Sequence, residues 1–291
     1  MESLKEKRIF ISGGAGVIGQ ELVKLLTKAN AIILVGDKQK VPSTFPVNIN
    51  YRQGDLNYIT QEELDFFNPE IFIHLAASFE RSVETYDHWE ENFWNNIRLS
   101  NHLMGLIRNC PNIKRVVNAS SYLIYDKNLY QFKKASSKPF RLNEKHPINP
   151  RNLTGLAKLS HEIELKFLSN HKSEKFSSVS ARIFRGYGKN SRDVISRWVR
   201  DLIRNKEISV YNQEGFFDYI YSQDSAKGIM KLAQSDLKGV VNLGTGKARQ
   251  VKDIIKILYE YFPNLKVKYT TNEEKIEASE ADISLLEAEL N

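Results

Sequence analysis

The glycines near the start of the chain are spaced in a way that suits phosphate binding. Glycine recurs at every third position of one short loop, at Gly13, Gly16 and Gly19. The loop follows an apolar, strand-like run from Arg8 to Ser12 and precedes an amphipathic pattern that starts with Val17 and Ile18. Glycines between a strand and a helix let the backbone approach a pyrophosphate, whose charge the helix N-terminus stabilises. The context favours a dinucleotide-binding loop over an ordinary βα turn, which can carry the same glycines.

An acidic residue follows where such a loop needs one. A second strand pattern, Ala31 to Val35, leads to Asp37, about 20 residues after the glycines. A carboxylate at this place binds the adenosine ribose hydroxyls and repels a 2′-phosphate, so Asp37 predicts NAD rather than NADP. Lys38 and Lys40 weaken that prediction without reversing it.

Asp55 and Leu56 follow a third strand pattern, Ile49 to Arg52. Two interpretations stand at this point. The two residues flank the adenine, or they form a plain cap between the strand and a helix that begins near Gln61.

Strand and helix patterns alternate as far as Ile183. Three further strands are predicted, at Ile71 to Ala76, Arg115 to Ala119 and Ser178 to Ile183. Long helical patterns lie between them, at Asp87 to Arg108 and Asn152 to Asn170. This alternation predicts βαβ units, and therefore an α/β fold with a doubly wound parallel sheet of the Rossmann type.

After Gly188 the predicted elements become shorter. They are a helix at Arg192 to Arg204, a strand at Ile208 to Tyr211, a strand running into a helix at Phe216 to Ala233, a strand at Val240 to Leu243, a helix at Val251 to Tyr261 and an amphipathic helix in Ser279 to Asn291. We interpret them as a smaller, mixed substrate-binding lobe over the carboxyl edge of the sheet. The predicted division is an NAD-binding domain over residues 1–183 and an interleaved lobe over residues 184–291.

The composition of the 291-residue chain is that of a soluble globular protein, with 41% hydrophobic and 26% charged residues. Its single cysteine, Cys110, excludes an internal disulfide and a cysteine-based metal site, and no metal is predicted. The charged N-terminus does not resemble a signal peptide, and no run approaches the ~18 apolar residues of a membrane span. These features predict a cytoplasmic protein without a membrane partner.

The net charge is +7, but the basic residues are mostly dispersed. Nucleic-acid binding would require them to concentrate on one element with interleaved aromatic residues. The local cluster from Arg182 to Arg204 is explained more simply by an anionic small molecule, or by the polar face of an amphipathic helix. No nucleic-acid partner is predicted.

Motifs along nearly the whole chain carry a family resemblance. They are GGAGVIG in the glycine loop, HLAAS over His74 to Ser78, Asn92 in ENFWNN, ASSYLIY over Ala119 to Tyr125, FFDYIYSQDSAKGI and VNLGTG. In this combination the chain resembles the extended short-chain dehydrogenase/reductases, the NAD-dependent nucleotide-sugar epimerase/dehydratase family. The resemblance implies NAD as cofactor and a nucleotide-diphosphate sugar, GDP- or UDP-linked, as substrate.

The resemblance also assigns roles to individual residues. It implies that the cofactor contacts Gly13, Gly16, Val17, Ile18, Gly19, Asp37, Lys38, Asp55, Leu56, Leu75, Ala76, Ala77, Asn92 and Lys158. It implies that the substrate contacts Ser78, Glu80, Arg81, Ser121, Tyr122, Arg185 and Arg192. A solvated salt bridge explains Glu80 and Arg81 equally well.

The chain departs from the family at the catalytic tyrosine. Relatives have a tyrosine four residues before a lysine, and this chain has Thr154 and Lys158 at those positions. A tyrosine beside a lysine and a cationic nicotinamide can ionise near neutral pH, whereas a threonine can only hydrogen-bond the sugar or hold a water. Ser121 matches the catalytic Ser/Thr of the family, so Ser121, Thr154 and Lys158 are the predicted catalytic residues.

Other departures from the family's sequence pattern reduce the number of reactions that the chain could catalyse. Tyr122 and Leu123 replace the acid pair of the 4,6-dehydratases, which disfavours dehydration and glutamate-assisted decarboxylation. Phe217 stands where many relatives have an arginine for the diphosphate, and Arg185 stands where many have an asparagine. We therefore expect Arg185 or Arg192 to bind the diphosphate.

Three side chains are weak candidates for a replacement base. His74 lies in an apolar strand pattern, which favours a core histidine. Tyr125 is expected to pack near the nicotinamide as in the family, and Tyr122 lies beside Ser121.

The two long helical patterns resemble the pair that forms the family's four-helix dimer interface. They imply a homodimer or a higher homo-oligomer.

Two hypotheses for function follow. The first is an NAD-dependent oxidoreductase acting at C4 of a nucleotide-activated sugar, as epimerase or 4-dehydrogenase, in surface-polysaccharide precursor synthesis. In it, a water held by Thr154 and Ser121 carries the proton. The second is a catalytically silent protein that binds NAD and a nucleotide sugar. A third interpretation, that Thr154 is an introduced substitution that traps substrate, also stands.

Overall fold

The computed structural model of the chain describes residues 2–79, 86–172, 176–270 and 275–290. Numbered along the chain, the strands are β1 (Arg8–Ser12), β2 (Ile32–Asp37), β3 (Asn50–Gln53), β4 (Ile71–His74), β5 (Arg115–Ser121), β6 (Gln131–Phe132), β7 (Phe140–Leu142), β8 (Ser177–Ile183), β9 (Arg185–Tyr187), β10 (Ile208–Tyr211), β11 (Phe216–Phe217), β12 (Tyr219–Tyr221), β13 (Gly239–Leu243), β14 (Arg249–Gln250), β15 (Val267–Thr270), β16 (Ile276–Glu277) and β17 (Ser279–Ala281). The α-helices are α1 (Val17–Lys28), α2 (Gln61–Phe67), α3 (Trp89–Asn92), α4 (Leu99–Asn109), α5 (Leu153–His171), α6 (Val194–Ile203), α7 (Ser222–Ala233), α8 (Val251–Tyr261) and α9 (Ser284–Leu290).

Seven strands form a parallel central sheet in the order β13-β8-β5-β4-β1-β2-β3. The order reverses between β1 and β4, which opens a crevice at the carboxyl ends of the strands, where such folds bind ligands. Both faces of the sheet are covered. Along β1, Ile9 and Ile11 pack in the core shared with α1 and α7, while Phe10 packs in the opposite core with α2, α4 and α5. This arrangement confirms the predicted doubly wound α/β fold.

The last strand of the sheet corrects one prediction. Val240 to Leu243 was expected in the smaller lobe, but β13 pairs in parallel with β8, with Val241 opposite Ala181. Both faces of this short apolar strand are buried, and periodicity alone does not show which sheet such a strand joins. The helix before it, α7, also packs against α1. The polypeptide therefore returns to the central sheet late in the chain.

The smaller lobe is built from α6, α8 and short strand pairs, among them β10 with β15 and β11 with β14. Its core includes Ile195, Trp198 and Leu258. The C-terminal segment differs from the single helix that we predicted from Ser279 onward. It forms β17, which pairs with β7, and only then α9.

The long helical pattern from Asp87 to Arg108 is also more complex than predicted. It consists of a 3₁₀ turn at Tyr86–His88, α3, a π-helical stretch at Phe93–Arg98, and α4. Hydrophobic periodicity does not distinguish the i→i+5 hydrogen bonds of a π-helix from those of an α-helix. Among the residues whose structure is described, no helix is long and apolar enough to cross a membrane.

Candidate functional site

The glycine loop is as tight as its spacing predicted. Gly13 has φ +75°, and a Cβ atom there would lie 2.5 Å from the amide nitrogen of Ala76. A Cβ atom on Gly19 would lie 2.5 Å from the carbonyl oxygen of Gly14. Neither position can carry a side chain without displacing backbone, so the loop and the segment after β4 are in direct contact.

The N-terminus of α1 is open for an anion. Its N-cap, Gly16, supplies no side-chain hydrogen bond, and no acidic residue lies in the first turn, which begins with Val17 and Ile18. Backbone N–H groups at this end therefore remain available to a phosphate. The tight loop and the open helix end fit the pyrophosphate of NAD.

Asp37 ends β2 and is held in place by the backbone. Its Oδ2 accepts a hydrogen bond from Ala15 N and its Oδ1 accepts one from Gln39 N, each at 2.9 Å. Each carboxylate oxygen keeps a further lone pair, which suits ribose hydroxyls. The Lys38 ammonium is 3.0 Å from the Asp55 carboxylate, so it is already paired with another residue.

The structure shows Asp55 as a cap, and contact of Asp55 and Leu56 with the adenine stays a prediction. Asp55 does act as a cap, but of the 3₁₀ turn Leu56–Tyr58, whereas α2 is capped by Thr60. Leu56 covers Gly36 beside Asp37, since a Cβ atom on Gly36 would lie 2.5 Å from the Leu56 side chain. The pair therefore borders the region expected to hold the adenosine.

The segment from Leu75 to Ser78 runs along the glycine loop. Leu75 N donates to Ser12 O, and the backbone of Ser78 is held by Asn96, which accepts from Ser78 N and donates to Ser78 O. Asn96 also donates to Asn92 Oδ1 at 2.7 Å. Asn92 thus steadies the site through Asn96, a residue that the sequence analysis missed although it lies one helical turn later. Glu80 and Arg81 lie outside the described residues.

Ser121 and Thr154 lie on adjoining elements. Ser121 ends β5, and its Oγ accepts a hydrogen bond from Leu123 N. Arg151 N donates to Leu123 O at 2.8 Å, and a Cβ atom on Gly155 would lie 2.6 Å from the same oxygen. The first turn of α5, which carries Thr154, is therefore packed against the chain that follows Ser121.

Lys158 lies one turn farther along the buried face of α5. Thr154, Lys158 and His161 are spaced i, i+4 and i+7, and their exposed fractions are 1%, 2% and 0%. Burial lowers the pKa of Lys158 to about 8. Within the described part of the chain, Lys158 forms neither an ion pair nor a hydrogen bond, and the buried Thr154 Oγ1 has no partner.

Two neutral histidines lie beside Lys158. The rings of His161 and His74 are 5.6 Å apart, and His74 Nδ1 is 2.6 Å from Ser12 Oγ. Burial, and then the Lys158 charge, lower the pKa of His161 to about 3; burial also lowers that of His74. His74 is thus a buried strand residue, as expected, and both rings remain uncharged.

The two neighbouring tyrosines are unsuited to act as a base near neutral pH. Tyr125 is fully buried, donates to Asn242 Oδ1 at 2.7 Å, and has its pKa raised to about 12 by burial. Tyr122 is buried and donates to Glu277 Oε1 at 2.9 Å, and burial also raises its pKa. Among these groups Lys158 has the pKa closest to neutral, and its uncharged form, which predominates above about pH 8, can accept a proton.

The predicted basic cluster divides into residues with different roles. Arg182, expected to help bind an anion, forms a buried bidentate pair with Glu162, with N–O distances of 3.0 and 2.8 Å. Glu162 also accepts from Ser120 Oγ at 2.6 Å, which ties α5 to β5. Arg192 is exposed just before α6. Arg182 is therefore structural, and Arg192 remains accessible.

Arg185 lies at the carboxyl edge but is partly occupied. Its Nη2 is 3.3 Å from Glu277 Oε2, and its guanidinium lies 4.3 Å from the centre of the Phe217 ring. Arg151 Nη1 is 2.6 Å from the same carboxylate oxygen. Neither Arg151 nor Glu277 was identified from the sequence, because no motif links these distant positions.

No group of three or more His, Cys, Asp or Glu residues suited to a metal occurs in the described part of the chain.

Comparisons with known proteins show which family the chain belongs to. A family model described as the NAD dependent epimerase/dehydratase family matches residues 9–244. A putative UDP-glucose 4-epimerase of Methanocaldococcus jannaschii is 27% identical over 269 residues, which cover 86% of this chain and 81% of that protein.

Solved structures share the fold. MoeE5, in complex with UDP-glucose and NAD, has a TM-score of 0.82 at 23% identity, covering 97% of this chain and 91% of that one. A UDP-N-acetylglucosamine 4-epimerase from Methanobrevibacter ruminantium, in complex with UDP-N-acetylmuramic acid, has a TM-score of 0.83 at 24% identity over the same shares. Since the family match spans most of its length, the chain belongs to the NAD-dependent epimerase/dehydratase family of enzymes, and its cofactor is NAD.

Proposed function

We propose that the chain is an oxidoreductase acting at C4 of a nucleotide-activated sugar, as an epimerase or a 4-dehydrogenase. The observation that carries this proposal is the packing of α5, with Thr154 and Lys158, against the end of β5, with Ser121, beside the glycine loop. The names of the relatives favour a UDP-linked sugar over a GDP-linked one. A role in polysaccharide precursor synthesis remains a prediction.

The chain's own residues orient the sugar and move its proton. NAD, when bound, supplies the oxidising equivalent. Ser121 hydrogen-bonds the reacting hydroxyl, and a water held between Ser121 and Thr154 passes the hydroxyl proton to neutral Lys158, which becomes an ammonium. This route replaces a directly positioned base, whose loss typically lowers a rate by roughly 10²–10⁴-fold. A slow enzyme is therefore expected.

Arg192 is the residue that we assign to the diphosphate. It is exposed and precedes α6, whereas Arg185 shares the Glu277 carboxylate. A guanidinium binds phosphate oxygens through charge-assisted hydrogen bonds. Of the two arginines expected to bind the diphosphate, Arg192 is therefore favoured over Arg185.

We also propose a homodimer through the helices that flank the sheet. Trp89, Phe93 and Trp94 are exposed on one helical stretch, and Ile163 and Phe167 are exposed on α5. Light scattering should give twice the chain mass for wild type. A Phe167→Glu variant that stays dimeric would argue against this interface.

A turnover assay tests the proposed function. The protein is incubated with NAD and UDP-glucose, reduced cofactor is followed by absorbance, and the sugar products are identified by NMR. We expect slow formation of reduced cofactor or of the C4 epimer. If UDP-sugars and NAD bind by calorimetry but no sugar tried is converted, the silent-binder hypothesis replaces this one.

A further inference from the structure

The lysine that follows the end of β2, Lys38, belongs to a closed ring of contacts. Its ammonium is 3.0 Å from Asp55 Oδ2 and donates to Asn95 Oδ1 at 2.6 Å. Asp55 Oδ1 accepts hydrogen bonds from Asn57 N and Nδ2, at 2.9 and 3.0 Å. Asn57 Nδ2 also donates to Trp94 O at 3.1 Å. The peptide bond between Trp94 and Asn95 closes the ring, which we call the Lys38 ring.

Three segments of the chain meet in the Lys38 ring. They are the end of β2, the 3₁₀ turn that Asp55 caps, and the π-helical stretch Phe93–Arg98. Asn57 is 5% exposed, so one side of the ring is anchored in the protein interior. Asp55 stays ionised: burial favours its neutral form, but hydrogen bonds from Asn57 and Lys38 outweigh that effect and lower its pKa. Lys38 therefore faces a fixed negative charge.

The backbone on both sides of Lys38 is fixed as well. Gly54 N donates to Asp37 O at 2.8 Å, and Gln39 N donates to Asp37 Oδ1 at 2.9 Å. The Tyr51 hydroxyl donates to Gln39 O at 2.8 Å. Because the main chain is held at these places, Lys38 reaches another acceptor only if its side chain leaves the ring.

The place of Lys38 is one where a cation affects the choice of cofactor. The residue before it, Asp37, is the one expected to bind the ribose hydroxyls of the adenosine. NADP carries a phosphate on that ribose, and enzymes that use NADP place a cation nearby. A lysine ammonium binds phosphate as a point charge. A free Lys38 ammonium would therefore favour NADP, whereas an ammonium offset by a carboxylate would not.

Two other cations lie near the end of β2. Arg52 pairs with Gly36 across β3 and β2, and its Nε is 3.2 Å from Glu63 Oε1. Its charge is thus also offset by a carboxylate. Lys40 is exposed and forms no ion pair within the described part of the chain. Lys40 is therefore the cation whose effect has to be separated from that of Lys38.

We propose that Asp55 and Asn95 contribute to cofactor selection by keeping the Lys38 ammonium away from a 2′-phosphate. Asp37 repels this phosphate, and the Lys38 ring removes the nearest cation that would offset the repulsion. A lysine that the sequence places beside the ribose is thereby made compatible with NAD. Cofactor binding alone suffices for this role, whatever reaction the enzyme catalyses.

Fluorescence titration of the whole protein with NADH and NADPH measures this role. The quantity compared is the dissociation constant for NADPH divided by that for NADH, because losses common to both cofactors cancel in this ratio. Asp55→Asn keeps a capping side chain at the 3₁₀ turn but removes the carboxylate that pairs with Lys38. We expect the ratio to fall about fivefold, the size of one exposed ion pair. Asn95→Ala removes a neutral contact and should lower the ratio less.

Lys38→Met separates the effect of the lysine from that of the carboxylate. Alone it should change the ratio by less than about twofold, and in its presence Asp55→Asn should no longer lower the ratio. If Asp55→Asn lowers the ratio equally with and without Lys38, the carboxylate itself repels the phosphate and the proposal is wrong. A severalfold rise in the ratio for Lys38→Met alone would show that Lys38 already binds the phosphate, which also overturns the proposal.

Lys40→Met is the matched control. Combined with Asp55→Asn, it should leave the gain in NADPH binding intact. If Lys40→Met abolishes this gain and Lys38→Met does not, or if Asp55→Asn leaves the ratio unchanged, the proposal fails. Should Asp55→Asn bind neither cofactor, Asn95→Ala with and without Lys38→Met provides the same comparison.

Discussion

The cofactor side and the substrate side of the crevice hold their charged groups differently. On the cofactor side, Asp37 is positioned by two backbone N–H groups from nearby in the chain, those of Ala15 and Gln39. On the substrate side, Glu277 joins side chains that lie more than a hundred residues before it, such as Arg151. The first arrangement depends on one βαβ unit, and the second exists only once the whole fold has formed.

The departures from the family that the sequence analysis identified lie on the substrate side. On the cofactor side, the glycines and Asp37 match the pattern that the family resemblance implies. On the substrate side, the resemblance sets Thr154 against a tyrosine and Phe217 against a common arginine, and the structure adds the cluster around Glu277. Binding of NAD and the choice of sugar are therefore expected to respond to separate sets of mutations.

The largest effect is expected at Lys158. Lys158→Met removes the only proton acceptor that we assign, so formation of reduced cofactor should fall by about 10²–10⁴-fold. Single-turnover absorbance measures the loss, and calorimetry with UDP shows whether the nucleotide still binds. Turnover close to that of wild type in a folded Lys158→Met protein would contradict the assignment of Lys158 as proton acceptor.

The same variant should be more stable than wild type at neutral pH. The folded-state pKa of Lys158 is about 8, below the ordinary 10.5, so the unfolded chain holds the proton more tightly between these values. Wild-type stability should therefore rise with pH from about 8 to 10.5. Lys158→Met should raise the unfolding free energy at pH 7 by the order of 2 kcal/mol. Urea unfolding of both proteins at pH 7 and 10 shows whether the substitution raises or lowers the unfolding free energy. If Lys158→Met is less stable than wild type at pH 7, the Lys158 ammonium is not buried without an ionic partner.

Asp37 tests the cofactor side alone. Asp37→Ala should weaken NAD(H) binding at least tenfold, about 1.4 kcal/mol, and reduce the preference over NADP(H). Lys40→Ala, a nearby exposed change, is the control and should leave both affinities unchanged. A wild-type protein that binds NADPH more tightly than NADH would show that Asp37 does not select the cofactor.

A smaller effect is expected at Arg192. Arg192→Ala should raise the dissociation constant for UDP about tenfold, equivalent to 1.4 kcal/mol, and leave NADH binding unchanged. Arg197→Ala, an exposed arginine on α6, serves as control. If Arg192→Ala leaves the affinity for UDP unchanged, Arg185 and not Arg192 binds the diphosphate.

The sequence predicts well those features that depend on residues close together along the chain. The glycine loop and Asp37 are set by the residues of one βαβ unit, and the alternating patterns predicted the sheet. The strand β13 was misassigned because a buried strand has no face pattern that identifies its partners. Arg182 was misassigned because its partner, Glu162, lies on another element. Glu277 could not be found for the same reason, since only the folded chain brings it to Tyr122.

The pH dependence of turnover shows whether Lys158 takes the proton from the sugar hydroxyl. If Lys158 takes the proton through water, the rate of cofactor reduction should rise with pH and level off above about 8, and Thr154→Ala should keep this profile with less than about a threefold loss. A sharp limb between pH 6 and 7, combined with a large loss in Thr154→Ala, would show that Lys158 does not take the proton through water. Thr154→Tyr then shows whether the other catalytic residues are intact, and we expect faster turnover with a new limb near neutral pH.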